Sequence, residues 1–344
     1  MTEPVLARGG GGDRAGGRAA GADRGNRALG AAMTAFHFLS AALFMTFYTG
    51  RTRWIPPGME GFTNGQAPYP FRYRVLAPLL ARASATLTHL PLALVYAALG
   101  TLAVFGLLLV FERLLAEFAR RDLARVLAPA ILYPVAWNYC GLNLMYFPFD
   151  MPGLFFMVAA CLCLVRRSWP LYYALFVLGT LNRETTWFWT VLFLLVEFRR
   201  LPFRALTAHL AAQAAIWVGL KIALYDLFPG SERALFATML PKNLDTWHGM
   251  LTLHGTGLKD WAKAVLMFGG LWLAVPFVLR GQPRFVQRTL WGVVPFVAAM
   301  IIVGTIDEAR VYGEILPLVT LPVLIWLARR IEAGAPPLLT AEAP

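Results

Sequence analysis

Four short strings hold nearly all the side chains able to do chemistry. They are "PFRYRVLAP" with Arg72 and Arg74, "FPFDMPGLFF" with Asp150, "LNRETT" with Asn182, Arg183 and Glu184, and "DEARVYGEILP" with Asp307, Arg310, Tyr312 and Glu314. Arginine presents a planar fork of donors that matches a phosphate, so Arg72, Arg74, Arg183 and Arg310 are candidate anion holders. Carboxylates in such company serve as general bases, as metal contacts or as counter-ions that aim the arginines. Asp150, flanked by Pro148 and Pro152 among Phe, Met and Leu, is costly there unless partnered or opened to water.

Each string also has a plainer reading. Arg72 and Arg74 beside Phe71 and Tyr73 suit a juxtamembrane anchor on lipid headgroups. Asp150 suits a helix N-cap. Asn182–Arg183–Glu184 suits a polar turn with an internal ion pair. On an α-helix Asp307, Arg310 and Glu314 share one stripe, and Arg310 and Glu314 are spaced to pair with each other. Charges entering a membrane span nevertheless default to function. Lys221, Tyr225, Asp226, His248 and His254 are weaker candidates.

The elements that must position these strings are apolar. Of 344 residues 58% are hydrophobic and 15% charged, too little charge to cover a soluble domain of this size. The apolar residues come in blocks such as Leu92 to Phe111. About 20 apolar residues cross about 30 Å of hydrocarbon as a helix, the one open-ended element that satisfies its own backbone there. The fold expected is all-α, a polytopic bundle of about ten membrane segments near 31–49, 91–111, 126–140, 148–165, 170–182, 185–198, 205–225, 261–279, 289–304 and 311–328. Residues 1–29, rich in Gly, Ala and Arg, read as a disordered basic tail, 30–330 as the transmembrane domain and 331–344 as a flexible C-terminal tail.

The net charge of +12 does not gather into a nucleic-acid face. It lies in short clusters between apolar blocks, among them Arg120/Arg121, Arg166/Arg167, Arg199/Arg200, Arg284/Arg288 and Arg329/Arg330. With both termini cytoplasmic, every cytoplasmic connection is basic, as the positive-inside rule requires. The segments 170–182 and 185–198 read as a hairpin, because one long span would separate Arg166/Arg167 from Arg199/Arg200 and bury 182–184 at mid-membrane. The first outer loop, Gly50 to about Leu90, breaks the rule by being basic. Its second half, Val75 to Leu90, has Leu76, Leu80, Ala83, Leu87 and Leu90 at helical steps and reads as an interfacial helix with Pro78 in its first turn. The cysteines 140, 161 and 163 have no disulfide or metal spacing, and no P-loop, HExxH, GxSxG or dinucleotide fingerprint occurs.

With "FRYRVLAP", "FDMPGLFF", "LNRET" and "DEARVYGEILP", this architecture over residues 31–330 resembles the GT-C superfamily of polytopic bacterial membrane glycosyltransferases, or a little-characterised relative of it. The resemblance implies a polyprenyl-phosphate-linked sugar donor, membrane lipid as a partner, and transfer at the outer face of a bacterial inner membrane. The acidic residue that many members carry early in the first outer loop is missing: after Tyr48 the chain reads "TGRTRWIPPGME", with only Glu60. The base role then falls to Asp150, with Arg72, Arg74, Arg183 and Arg310 on the departing phosphate. Glu184, Asp307 and Glu314 orient the arginines or hold the acceptor or a divalent cation. The alternative is a transporter or flippase for a lipid-linked or anionic substrate, whose broken segments would mark the binding site.

Overall fold

A computed structural model describes residues 13–142, 144–228 and 238–334, with side chains from residue 28 on. The helices are α1 Asp13–Arg51, α2 Gly58–Thr63, α3 Leu76–Thr88, α4 Leu92–Leu115, α5 Arg121–Leu127, α6 Leu132–Ala136, α7 Asp150–Arg166 and α8 Trp169–Asn182. There follow α9 Trp187–Glu197, α10 Phe203–Leu227, α11 Leu240–Thr252, α12 Gly257–Leu266, α13 Val275–Val278, α14 Arg284–Val303 and α15 Leu316–Gly334. Strands β1 Arg53–Trp54 and β2 Met145–Tyr146 form one short parallel pair that ties the first loop to the turn before α7. The protein is therefore all-helical. Among the described residues six stretches are long and apolar enough to cross a membrane: Ala28–Arg51, Leu92–Leu115, Phe203–Leu227, Gly257–Val278, Arg284–Val303 and Ala309–Gly334.

Helix α4 packs against α1 and α7, and α7 against α8. The core lies along these helices with α9, α14 and α15, and α15 is the most enclosed of the candidate spans. Large apolar side chains also face outward, among them Leu43, Leu102, Phe277 and Trp291. A water-facing surface does not tolerate so many, whereas lipid does.

Several elements differ from the sequence expectation. Helix α1 is described from Asp13, within the stretch 1–29 read as a tail, and residues 1–12 of that stretch lie outside the described residues. The tail expected over 331–344 starts as the end of α15, and its remainder lies outside the described residues. The segment expected over 126–140 is broken into α5, a 3-10 turn carrying Pro129, α6 with Pro134, and a π turn at Trp137–Gly141. Each proline removes a helix donor there. Between the segments expected at 205–225 and 261–279 lie the short helix α11 and the start of α12, and residues 229–237 of that stretch lie outside the described residues. The block expected at 261–279 kinks where Phe268, Gly269 and Gly270 adopt left-handed backbone, which glycine accepts without strain.

The hairpin of α8 and α9 is present. Arg183 is extended (φ −159°, ψ 134°) and ends α8, after which the chain turns back. Tyr172 near the start of α8 donates to the carbonyl of Trp189 at 3.1 Å, and the Trp169 ring meets Phe193 in α9 at 5.4 Å. Arg167 and Arg200 accordingly share one carboxylate, Glu197, at 2.7 and 3.6 Å. At that same end Arg125 pairs with Glu112, Arg166 with Glu117, Arg288 donates to the carbonyl of Val196, and Arg329 to that of Gly281. The basic connections therefore collect at one end of the bundle, and the four candidate strings lie at the other.

Candidate functional site

The helix ends opposite the basic connections converge on a buried network of charges. It is built from the first loop (Arg74), the first residue of α7 (Asp150), the turn between α8 and α9 (Arg183, Glu184, Thr185), α10 (Lys221) and the turn before α15 (Glu308, Arg310, Glu314). Apart from α10, which passes by and presents Lys221 from its face, each of these elements ends or turns here. That leaves backbone and side chains free to point inward rather than along a helix face.

Arg74 grips Glu184 with both prongs, Nε to Oε2 at 2.9 Å and Nη2 to Oε1 at 2.5 Å. Its guanidinium lies over Phe149 at 4.3 Å and Phe71 at 4.9 Å. Burial pushes the Glu184 carboxyl up, but Arg74 outweighs it and holds the group down to about 2. Burial and the nearby Arg183 and Arg310 lower Arg74 in turn, against the upward pull of Glu184. A guanidinium starts so high that it stays charged, so the pair is ionic. The Glu184 carbonyl accepts from the indole of Trp217 at 2.9 Å, and Lys221 beside it sits over the Trp217 and Tyr73 rings at 5.7 and 5.6 Å.

Arg183 reaches two carboxylates, Glu314 at 3.2 Å and Asp150 at 3.7 Å. The hydroxyl of Thr185 donates to Glu314. Arg310 reaches Asp150 at 3.7 Å and Glu308 at 2.5 Å, and lies 3.5 Å over the Phe147 ring. Glu308 also accepts from Thr305 at 2.9 Å. The cations Arg74, Arg183, Arg310 and Lys221 thus face the anions Asp150, Glu184, Glu308 and Glu314, and the network is formally neutral. Buried charges are tolerable only with such pairing.

A cavity of about 120 Å³ opens onto this network, lined by Phe71, Arg74, Arg183, Glu184, Thr185, Glu308 and Arg310 together with the end of α14. All three arginines are on its wall. Asp150 is not: it is fully buried beneath Arg183 and Arg310, and among the described residues neither of its oxygens receives a hydrogen bond. Asp150 also makes no N-cap bond, so capping does not account for it.

Other expectations fall differently. Arg183 and Glu184 do not pair internally, and Arg310 and Glu314 do not pair with each other; each takes partners from elsewhere in the chain. The α-helical stripe of Asp307, Arg310 and Glu314 does not form, since 309–315 is a 3-10 turn entered through an extended Glu308. Asp307 consequently leaves the network and pairs with Lys242 at 3.5 Å, and its neighbour Glu308 takes the place beside Arg310. Arg72 donates to the Ala67 carbonyl at 3.0 Å, off the cavity wall. Asn182 donates to the Phe149 carbonyl at 2.9 Å and braces the start of α7. Tyr312 packs in the core. Glu308 and the aromatic floor of Phe71, Phe147 and Phe149 were not legible as site residues. Their role follows from the turn geometry and from loops meeting, neither of which spacing encodes.

Among the described residues no three His, Cys, Asp or Glu side chains gather as metal ligands. Glu184, Asp307 and Glu314 each face a cation of the chain itself. Comparison with protein-family models, curated proteins and solved structures finds no match to this chain.

Proposed function

We propose that this is a membrane transferase of the GT-C kind, moving a sugar from a polyprenyl-phosphate-linked donor to an acceptor hydroxyl at the outer face of a bacterial inner membrane. The observation that carries this reading is the set of three arginines, from three separate parts of the chain, on the wall of one cavity at the end opposite the basic connections. A lipid phosphate entering there meets Arg74, Arg183 and Arg310, which can take the charge that develops as the phosphate leaves. Asp150 holds Arg183 and Arg310 from beneath and is a positioning residue. The base falls to Glu308, a partly exposed carboxylate on the wall.

The step balances as an inverting displacement. The acceptor hydroxyl gives its proton to Glu308, and its oxygen forms the new bond to the anomeric carbon. The bond from that carbon to the phosphate oxygen breaks, and its electrons remain on the phosphate. The incoming phosphate competes with Glu308 for Arg310, which frees the Glu308 carboxylate to face the acceptor hydroxyl.

The shorter elements α5–α6, α7, α8 and α9 complete a bundle of about ten membrane segments with both termini cytoplasmic. Helix α3 lies on the outer membrane surface, with Leu79, Leu80 and Leu87, and Leu90 just beyond its end, exposed to acyl chains and Ala77, Pro78 and Ala81 turned inward. The kink at 268–270 and the 183–186 turn are the features that favour transport instead. Against transport, α7 carries no charged side chain between Asp150 and Arg166, so no polar path follows it through the bundle.

Proteoliposomes loaded with labelled polyprenyl-phosphate sugars and candidate acceptors test the proposal. Wild type transfers label. Glu308→Gln and Arg183→Ala each lose about 100-fold or more, whereas Arg72→Ala retains activity. Movement of intact donor without transfer selects the transporter, and inertness toward every lipid-phosphate sugar offered overturns the transferase.

A further inference from the structure

Beside the arginine cavity lies a second and larger one of about 740 Å³, and the two share the wall formed by Phe71, Thr305, Glu308 and Arg310. Its remaining wall comes from elements that the transfer step does not use: the end of α1, the turn after the π helix, and helices α11 and α12. Cations dominate it. Arg51, Lys242, Lys259, Lys263 and Arg310 face only two carboxylates, Asp307 and Glu308. Lys242 is occupied by Asp307 at 3.5 Å, and Lys263 by Asp260 at 3.2 Å. Arg51 and Lys259 have no carboxylate partner among the described residues. Whereas the first network is neutral, this wall carries excess positive charge, at the end of the protein where positive-inside disfavours it.

We propose that the larger cavity binds the phosphate-bearing portion of a second substrate, an anionic acceptor. Arg51 and Lys259 supply the unspent charge for its phosphate. Lys259 and Lys263 lie one helical turn apart on α12, and both line the cavity. A molecule anchored in this way places its hydroxyl at the shared wall, next to Glu308 and one side chain away from the arginines that hold the donor phosphate. The large basic cavity and the small one over the neutral network divide the labour between acceptor and donor. The role as acceptor rests on the transferase reading; the binding of phosphate does not.

Inorganic pyrophosphate is the probe for a soluble ligand. Nanodiscs with or without phosphatidic acid are the probe for a lipid headgroup. Purified full-length protein binds pyrophosphate with an affinity that falls as salt rises. The double variants Arg51→Gln/Lys259→Gln and Arg51→Glu/Lys259→Glu weaken binding by at least about tenfold, the change expected on losing two charge contacts. Arg280→Glu, at the opposite end, leaves it unchanged. Thermal unfolding of each variant confirms that it is folded, and the neutral pair serves if the reversed pair is not. Should pyrophosphate not bind, a dependence of phosphatidic acid enrichment on Arg51 and Lys259 assigns the site to a lipid headgroup and supports the same phosphate chemistry. Binding indifferent to both variants, or no binding of either probe, overturns the proposal. Pyrophosphate binding that depends on Arg51 and Lys259, in a protein that transfers no sugar, keeps this site and removes only the transferase reading.

Discussion

Asp150 is the residue on which the arginine network turns. It is enclosed, takes no hydrogen bond among the described residues, and serves Arg183 and Arg310 together. Removing it leaves two guanidinium groups buried with less compensation, so Asp150→Ala lowers stability in detergent by about 3 kcal/mol. Glu308→Gln, on the cavity wall, costs far less stability while transfer is lost, and thermal melts set beside turnover separate the two roles. Glu184 makes a prediction in pH. Its folded-state carboxyl is held at about 2, below the usual 4.5. Such a group contributes stability that is present above about 4.5 and disappears as pH falls toward 2. Melting temperature should therefore drop between pH 5 and pH 3 by more in wild type than in Glu184→Gln. An equal slope in the two proteins would mean that the Arg74 pair contributes nothing to folding.

At the scale of elements, the turns do the positioning. The strand-like break at Arg183 makes α8 and α9 a hairpin, and it sends Arg183 toward Asp150 while Glu184 goes to Arg74. The 3-10 turn at 309–315 is held against the π turn by close contact, since a Cβ at Gly313 would overlap the Tyr139 phenol. Gly313→Ala must displace that ring or the turn carrying Arg310 and Glu314, and should cost about 1–3 kcal/mol. Tyr139→Phe in the same protein should recover part of the loss, which a double-mutant cycle on melting temperature would measure. The α8–α9 hairpin could be anticipated because charge clusters at both ends constrain which way a short segment crosses. The 3-10 turn could not. An α-helical wheel drawn through 307–314 puts Asp307 at the site, and only the observed backbone exchanges it for Glu308.

For the whole molecule, the separation of the basic connections from the arginine network predicts a labelling pattern. The native cysteines 140, 161 and 163 are all buried, so the background is low. Introduced at exposed positions, Gln66→Cys and Lys242→Cys should react with an impermeant maleimide from outside intact cells. Arg200→Cys and Arg329→Cys should react only after permeabilisation. The reverse pattern would place the arginine cavity on the cytoplasmic side and remove the outer-leaflet donor.

The amino-acid order alone determined that this chain is helical and suited to a membrane, because long apolar blocks leave the backbone no partner but itself. It favoured a fold-back over 170–198, because arginines on both flanks belong at one end, and the extended backbone at Arg183 decided it. Which acid stands beside which arginine was decided only in the tertiary structure. Arg74 and Glu184 are 110 positions apart and Thr185 and Glu314 are 129 apart, and partners so distant are chosen by how the helices pack. Burial selects among them, since a charge out of water must find its counter-ion wherever in the chain that counter-ion lies.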